Sequence, residues 1–167
     1  DGSEDESEGG DKEKKEKAPS YEMSKPVREA VVEAQGAIGK KDYAAAQASV
    51  DKALAAASTA DDKFVANSIL YDISRATNEK ATQAQAIEGM LASGKVEQAK
   101  QGQYYMVAGN LAYQAKNYKH AEALLDRAIA SGNAPIDAYA LAAESKNTNG
   151  NPAGAVDVII AAAAAQK

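Results

Sequence analysis

Three turn-like tripeptides, Lys41-Asp42-Tyr43, Lys116-Asn117-Tyr118 and Gly150-Asn151-Pro152, are each followed by small or apolar residues at offsets of three, seven and ten. The residues are Tyr43, Ala46, Val50 and Ala53 after the first, and Tyr118, Ala121, Leu125 and Ala128 after the second. After the third they are Pro152, Ala155, Ile159 and Ala162. These offsets trace one face of an α-helix and do not fit the alternation of a strand. The interval from Lys116 to Gly150 is 34, and that from Lys41 to Lys116 is two such periods plus seven. A helix of this kind cannot bury its small-residue face alone. Copies at a fixed period therefore predict units stacked on their neighbours.

Composition and punctuation agree with an all-α chain. Hydrophobic residues make up 45% of the 167 positions but aromatics only 5%, and alanine dominates the apolar share, which suits closely packed helices. Ser24 with Pro26, Thr59 with Asp62, and Asn133 with Pro135 read as helix starts. Gly94, Gly132 and Gly150 fall where helices should end, each suited to the left-handed closing residue. No segment shows sustained strand alternation.

The opening segment from Asp1 to Ser20, DGSEDESEGGDKEKKEKAPS, holds no large apolar side chain and eight acids against four bases. Such a segment cannot bury enough surface to offset its ordering entropy, so residues 1–22 are expected to form a disordered acidic and lysine-rich tail before a helical domain over 23–167. The tail carries −4 of the net −5, leaving −1 for residues 21–167. A solvating spacer is the simplest role for it, and a docking arm for a basic partner the alternative. The chain begins at Asp1. Removal of an initiator segment, which could include a secretory signal, is expected from that start.

The residues Tyr105, Gly109, Tyr118, Ala121, Leu125 and Ala128 resemble the tetratricopeptide pattern: a first helix with a large residue and a small one four later, packed on a second helix through small-large-small positions. The resemblance covers roughly residues 25–167. It implies a right-handed superhelical stack of antiparallel helix pairs, an α-solenoid of about four repeats near 25–58, 59–95, 96–132 and 133–167. In the second repeat Phe64, Ser68 and Tyr71 fit the first helix, while Ala84, Ile87 and Leu91 form a second that stops at Gly94. The seven extra residues are expected between Ala76 and Gly102.

Chemistry-bearing motifs are scarce. The chain has no cysteine, hence no disulfide, thiol nucleophile or zinc-thiolate site. His120, the one histidine, lies on the polar side of a helix, and a metal site would have to be built from this imidazole and carboxylates alone. No Walker loop, GxGxxG, HExxH or GxSxG occurs. The Asn147–Asn151 stretch resembles a calcium loop but lacks its aspartates and closing glutamate, and reads as a turn. No enzyme activity, cofactor or metal is expected. The acidic balance argues against nucleic acid, and no apolar run reaches the roughly 20 residues that span a bilayer.

The resemblance implies that first helices line a concave groove. Groove positions would be Arg28, Val31 and Gln35; Asp62, Val65, Ile69 and Asp72; Gln103, Met106, Asn110 and Tyr113; and Asp137, Glu144 and Asn147. Asn110 falls where some family members hold a peptide backbone or terminal carboxylate, but the lysine and arginine of that clamp are missing, so chaperone-tail recognition is not implied. The amides with Met106, Tyr113 and Ile69 suit a peptide or helix with apolar anchors, with packing of Ile69 and Met106 between neighbouring helices the alternative. A second candidate surface is the last helix, where Val158 and Ile159 with Ala155 and Ala162 make one apolar face and Val156 and Ile160 another. Solenoids normally end on a polar cap, so this face is expected to dock on a partner, to pack against its own copy, or to be covered by residues absent from this sequence. The expected function is a non-catalytic scaffold or adaptor that binds another protein or peptide, with self-association through the last helix a further possibility. An envelope helper holding a lipid, glycan or small ligand is the alternative. The composition also resembles exported bacterial repeat proteins, which points to the periplasm, with the cytoplasm the alternative.

Overall fold

The computed structural model describes residues 19–167; most of the acidic tail read from the sequence lies outside the described residues. Eight helices and no strand occur among the described residues. They are α1 (Lys25–Gly39), α2 (Tyr43–Ala56), α3 (Ala60–Ala76), α4 (Lys80–Ala92), α5 (Gln98–Gln114), α6 (Tyr118–Ala130), α7 (Ile136–Thr148) and α8 (Pro152–Ala165). The closest packing is within the consecutive pairs α1–α2, α3–α4, α5–α6 and α7–α8.

One turn recurs four times. Lys41, Asn78, Lys116 and Gly150 all adopt positive φ, between 58° and 79°. The next residue in each turn donates its N–H back to a carbonyl five positions earlier, as in Asp42 to Ala37, Glu79 to Ser74, Asn117 to Ala112 and Asn151 to Lys146. This is the left-handed closure that satisfies otherwise orphaned helix-end carbonyls. The Asn78 copy went unread in the sequence, and it relocates the seven extra residues. The intervals between successive turns are 37, 38 and 34, counted from Lys41 through Asn78 and Lys116 to Gly150. No single insertion lies between Ala76 and Gly102. Instead α3 and α5 run to 17 residues against 13 for α7, about one extra turn each.

The second helices pack as their offsets predict. Ala46, Val50 and Ala53 of α2, and Ala121, Leu125 and Ala128 of α6, are fully buried, because alanine lets neighbouring helix axes approach closely. Gly109 of α5 faces Leu125: a Cβ there would lie 2.6 Å from the leucine Cγ. Gly109→Ala is therefore expected to lower Tm, with a net cost of about 1 kcal/mol, because overpacking outweighs alanine's better helix preference. α8 breaks the pattern. Ala155 is buried, but Ile159, at Leu125's position in the repeat, is 59% exposed, with no further helix among the described residues to cover it.

Three side chains at helix ends and loops lock the pairs together. Asp62 closes the capping box read at Thr59, and its fully shielded carboxylate also reaches the start of α1. It accepts from the Ser24 N–H at 2.8 Å and the Ser24 hydroxyl at 2.9 Å. Ser24 thus caps α1 by position while its side chain serves Asp62. Asn133 does not cap α7, which starts after Pro135. It accepts from the Gly102 N–H at 2.9 Å and donates to the Gln98 carbonyl, pinning the α6–α7 loop to α5. Asn149 donates to the Tyr118 carbonyl at 3.0 Å and to Glu122, tying the last turn to α6.

Candidate binding groove

The first helices form one layer: α1 lies against α3 and α5 against α7. Between α3 and α5 the layer opens, and no Cα of one helix comes within 8 Å of a Cα of the other. Large side chains hold them apart. Phe64 and Tyr71 of α3 pack on the same cluster as Tyr104 and Val107 of α5. At the N-terminal end of this opening the lead-in segment enters: the Tyr21 ring lies 5.0 Å from that of Phe64, and the Glu22 N–H donates to Asp61 at 2.9 Å. Asp61 in turn pairs with Lys95 at 2.9 Å, a hydrogen bond that, with the one from Glu22, holds its carboxyl below the ordinary range. Residues 21 and 22, assigned to the tail from sequence, are thus docked on α3. Burial raises the Tyr21 phenol, with the nearby Glu97 carboxylate adding to it.

α4, α5 and α7 together line a cleft of about 280 Å³, with Val107, Leu111 and Leu141 as its apolar side chains and Met106, Asn110 and Gln114 beside them. Lys80 and Gln83 of α4 and Asp137 of α7 complete the lining. Gln83 is buried and donates to the Ser74 carbonyl at 3.2 Å. On the adjacent α7, Glu144 accepts from the Tyr113 hydroxyl at 2.7 Å, the main reason this phenol's pKa lies above its ordinary value.

Counting back from the four turns sorts the residues read as groove-facing. Arg28 and Gln35 on α1, Gln103 on α5, and Asp137, Glu144 and Asn147 on α7 are exposed; Met106, Asn110 and Tyr113 are half-buried along α5. Val31 is buried between helices. In α3 the register is off by three, because the turn comes at Asn78. Val65 and Asp72 keep groove positions, whereas Asp62 and Ile69 are buried. Their places belong to Ser68 and Arg75. Asp72 is accessible yet flanked by protein, so desolvation raises its carboxyl pKa against the lowering effect of Arg75. The Arg75 guanidinium lies 5.8 Å from the Tyr71 ring centre. The sequence missed Ser68, Arg75, Lys80, Gln83 and Gln114. The signal that finds the first two is Asn78-Glu79, a turn dipeptide whose asparagine takes the left-handed conformation without glycine.

Elsewhere, exposed His120 pairs with Glu88 at 2.6 Å across α4 and α6. On α8, Val156, Ile159 and Ile160 are exposed, but Val158 is buried with Ala142 and Leu125 and is not part of the free face. No described helix is long and apolar enough to cross a membrane.

No protein-family model and no curated protein matches the sequence. Among solved structures the chain is similar to the crystal structure of MamA, a tetratricopeptide-like helical protein, with a TM-score of 0.55 and 16% identity over 84% of this chain and 78% of that one. At that identity the likeness is one of fold. The chain is an all-α, tetratricopeptide-like solenoid.

Proposed function

We propose that this chain is a non-catalytic interaction scaffold that binds a peptide segment of a partner protein in the cleft lined by α4, α5 and α7. The observation that carries this is the make-up of the cleft: an apolar floor of Val107, Leu111 and Leu141 beside the amides of Asn110 and Gln114. An apolar side chain fits the floor while the amides hydrogen-bond a peptide backbone. That division between burial for affinity and fixed polar groups for orientation is general to such grooves. Lys80 and Asp137 bring charges of both signs to its lining. An extended segment with a central apolar anchor and mixed-charge flanks suits this rim better than a uniformly acidic or basic one.

Selection from a displayed random-peptide library on the full chain tests this. Enriched peptides should share one apolar anchor, Met106→Asp should abolish their binding, and Gln114→Ala, at an exposed position of the same cleft, should weaken it without moving the thermal melt. Enrichment of no consensus, together with a small molecule that stays bound in native mass spectrometry of the chain from its own cells, would sink the reading in favour of a ligand carrier.

A further inference from the structure

We infer that the outer face of α8 is a self-complementary docking surface for a second copy of this chain, giving an α8-to-α8 dimer. The turns at Lys116 and Gly150 place α6 and α8 in the same register, one repeat apart. Glu122, Leu125 and Asp126 of α6 then correspond to Val156, Ile159 and Ile160 of α8. In α6 these three positions receive the next first helix. Leu125 is fully buried against α7, and Glu122 and Asp126 each hold Lys146 at 3.1 Å. In α8 the same positions are all apolar and are 54%, 59% and 63% exposed. The charged junction that joins one repeat to the next has become a charge-free one.

What covers this face follows from the chemistry of the two ends. The opposite end of the stack is the outer side of α1, where Glu29, Val32 and Glu33 correspond to Ala138, Leu141 and Ala142, the positions that α7 offers to α6. Glu29 and Glu33 are exposed and pair with Lys25 and Lys52 at 3.8 and 3.7 Å. Head-to-tail stacking would press these two exposed ion pairs onto Val156, Ile159 and Ile160, which offer them no polar partner, so the chain does not extend into a filament by this route. Two α8 faces bring no such conflict. The only charge in α8 is Asp157, and the face continues past Ile160 into an unbroken run of alanines that permits close approach. A foreign partner would normally be selected by polar or charged pairs at its contact, and this face offers none. α8 is 14 residues, about 21 Å long. Two such faces bury on the order of 1,000 Å² in total, the lower edge of specific interfaces, so a reversible dimer is expected. The contact is isologous and closes at two. It does not involve the cleft lined by α4, α5 and α7 and stands independently of the peptide-binding reading.

Sedimentation of the full chain across a concentration series tests this. A monomer–dimer equilibrium that stops at two is expected, and Ile160→Lys should weaken it at least tenfold without moving the thermal melt. Met106→Asp should leave it intact, so failure of the cleft reading and failure of this one are told apart. Under oxidation, Ala163→Cys should crosslink to itself and not to Val32→Cys in a mixture. A chain that stays monomeric at millimolar concentration overturns the proposal, as do oligomers that grow beyond two, or crosslinking between the Ala163→Cys and Val32→Cys variants.

Discussion

Asp62→Ala is expected to lower the unfolding free energy by about 3–4 kcal/mol, measured as a fall in the denaturant midpoint with an unchanged slope. The carboxylate is fully shielded. It accepts from the Ser24 N–H and hydroxyl at 2.8 and 2.9 Å, and from the Ser58 and Thr59 N–H groups at 3.2 and 3.3 Å. Alanine orphans the backbone donors that start α1 and α3 together. One lost helix cap costs about 1 kcal/mol, and each buried donor left without a partner about 1–3. Asp62→Asn keeps the shape but turns one acceptor into a donor facing other donors, so roughly half the loss is expected to remain.

The same group sets an acid limit. Desolvation, the largest single influence on Asp62, pushes its pKa up. The combined hydrogen bonds from Ser24, Ser58 and Thr59 outweigh it and hold the carboxyl at about 2, against 3.8 in the unfolded chain. A depressed folded-state pKa means stability that is complete above about pH 4 and lost as pH falls through 4 towards 2. The loss from this group is on the order of 1–2 kcal/mol, and Asp61, also depressed, acts in the same direction. In Asp62→Ala the acid limb of a pH–stability curve should flatten.

Asp62 also shows how far local pattern carries. The capping box at Thr59 is written within four residues and was legible. The second role, receiving Ser24 from 38 positions away, has no local signature, and Asp62 therefore passed for a groove residue. Likewise the helix class, the glycine closures and the buried faces of α2 and α6 follow from spacing alone. The turn at Asn78 escaped because it lacks the following tyrosine or proline, and because Gln83 stands where Ala46, Ala121 and Ala155 do in the other repeats. That one omission shifted the α3 register by three and exchanged Ser68 and Arg75 for buried neighbours. The cleft itself is lined from three helices, Lys80 and Gln83 of α4, Asn110 and Leu111 of α5 and Leu141 of α7, a combination that no single-helix period contains. Tyr21 was lost for a similar reason: polar neighbours hid an aromatic ring whose partner, Phe64, lies two helices further along the chain.

Leu125→Ala is expected to cost about 3–4 kcal/mol, in the upper part of the range for buried leucines. Its surroundings decide this. Gly109 faces it from α5, and Ala142 and Ala155 pack with it from the last pair. Glycine and alanine have no rotamer with which to fill a void, and the helices that carry them are fixed by Asn133 and Asn149. The cavity should therefore persist instead of collapsing. Because α7 and α8 meet the rest of the stack only through α5 and α6, the loss should also be uneven. Hydrogen exchange should show α7 and α8 opening at lower free energy while α1 to α4 keep their protection. The repeat supplies its own control. Ile159 occupies the same register position in α8 but is exposed, so at concentrations that keep the chain monomeric Ile159→Ala should cost less than about 0.5 kcal/mol. Comparable losses at the two positions would mean that α8 is already covered in solution.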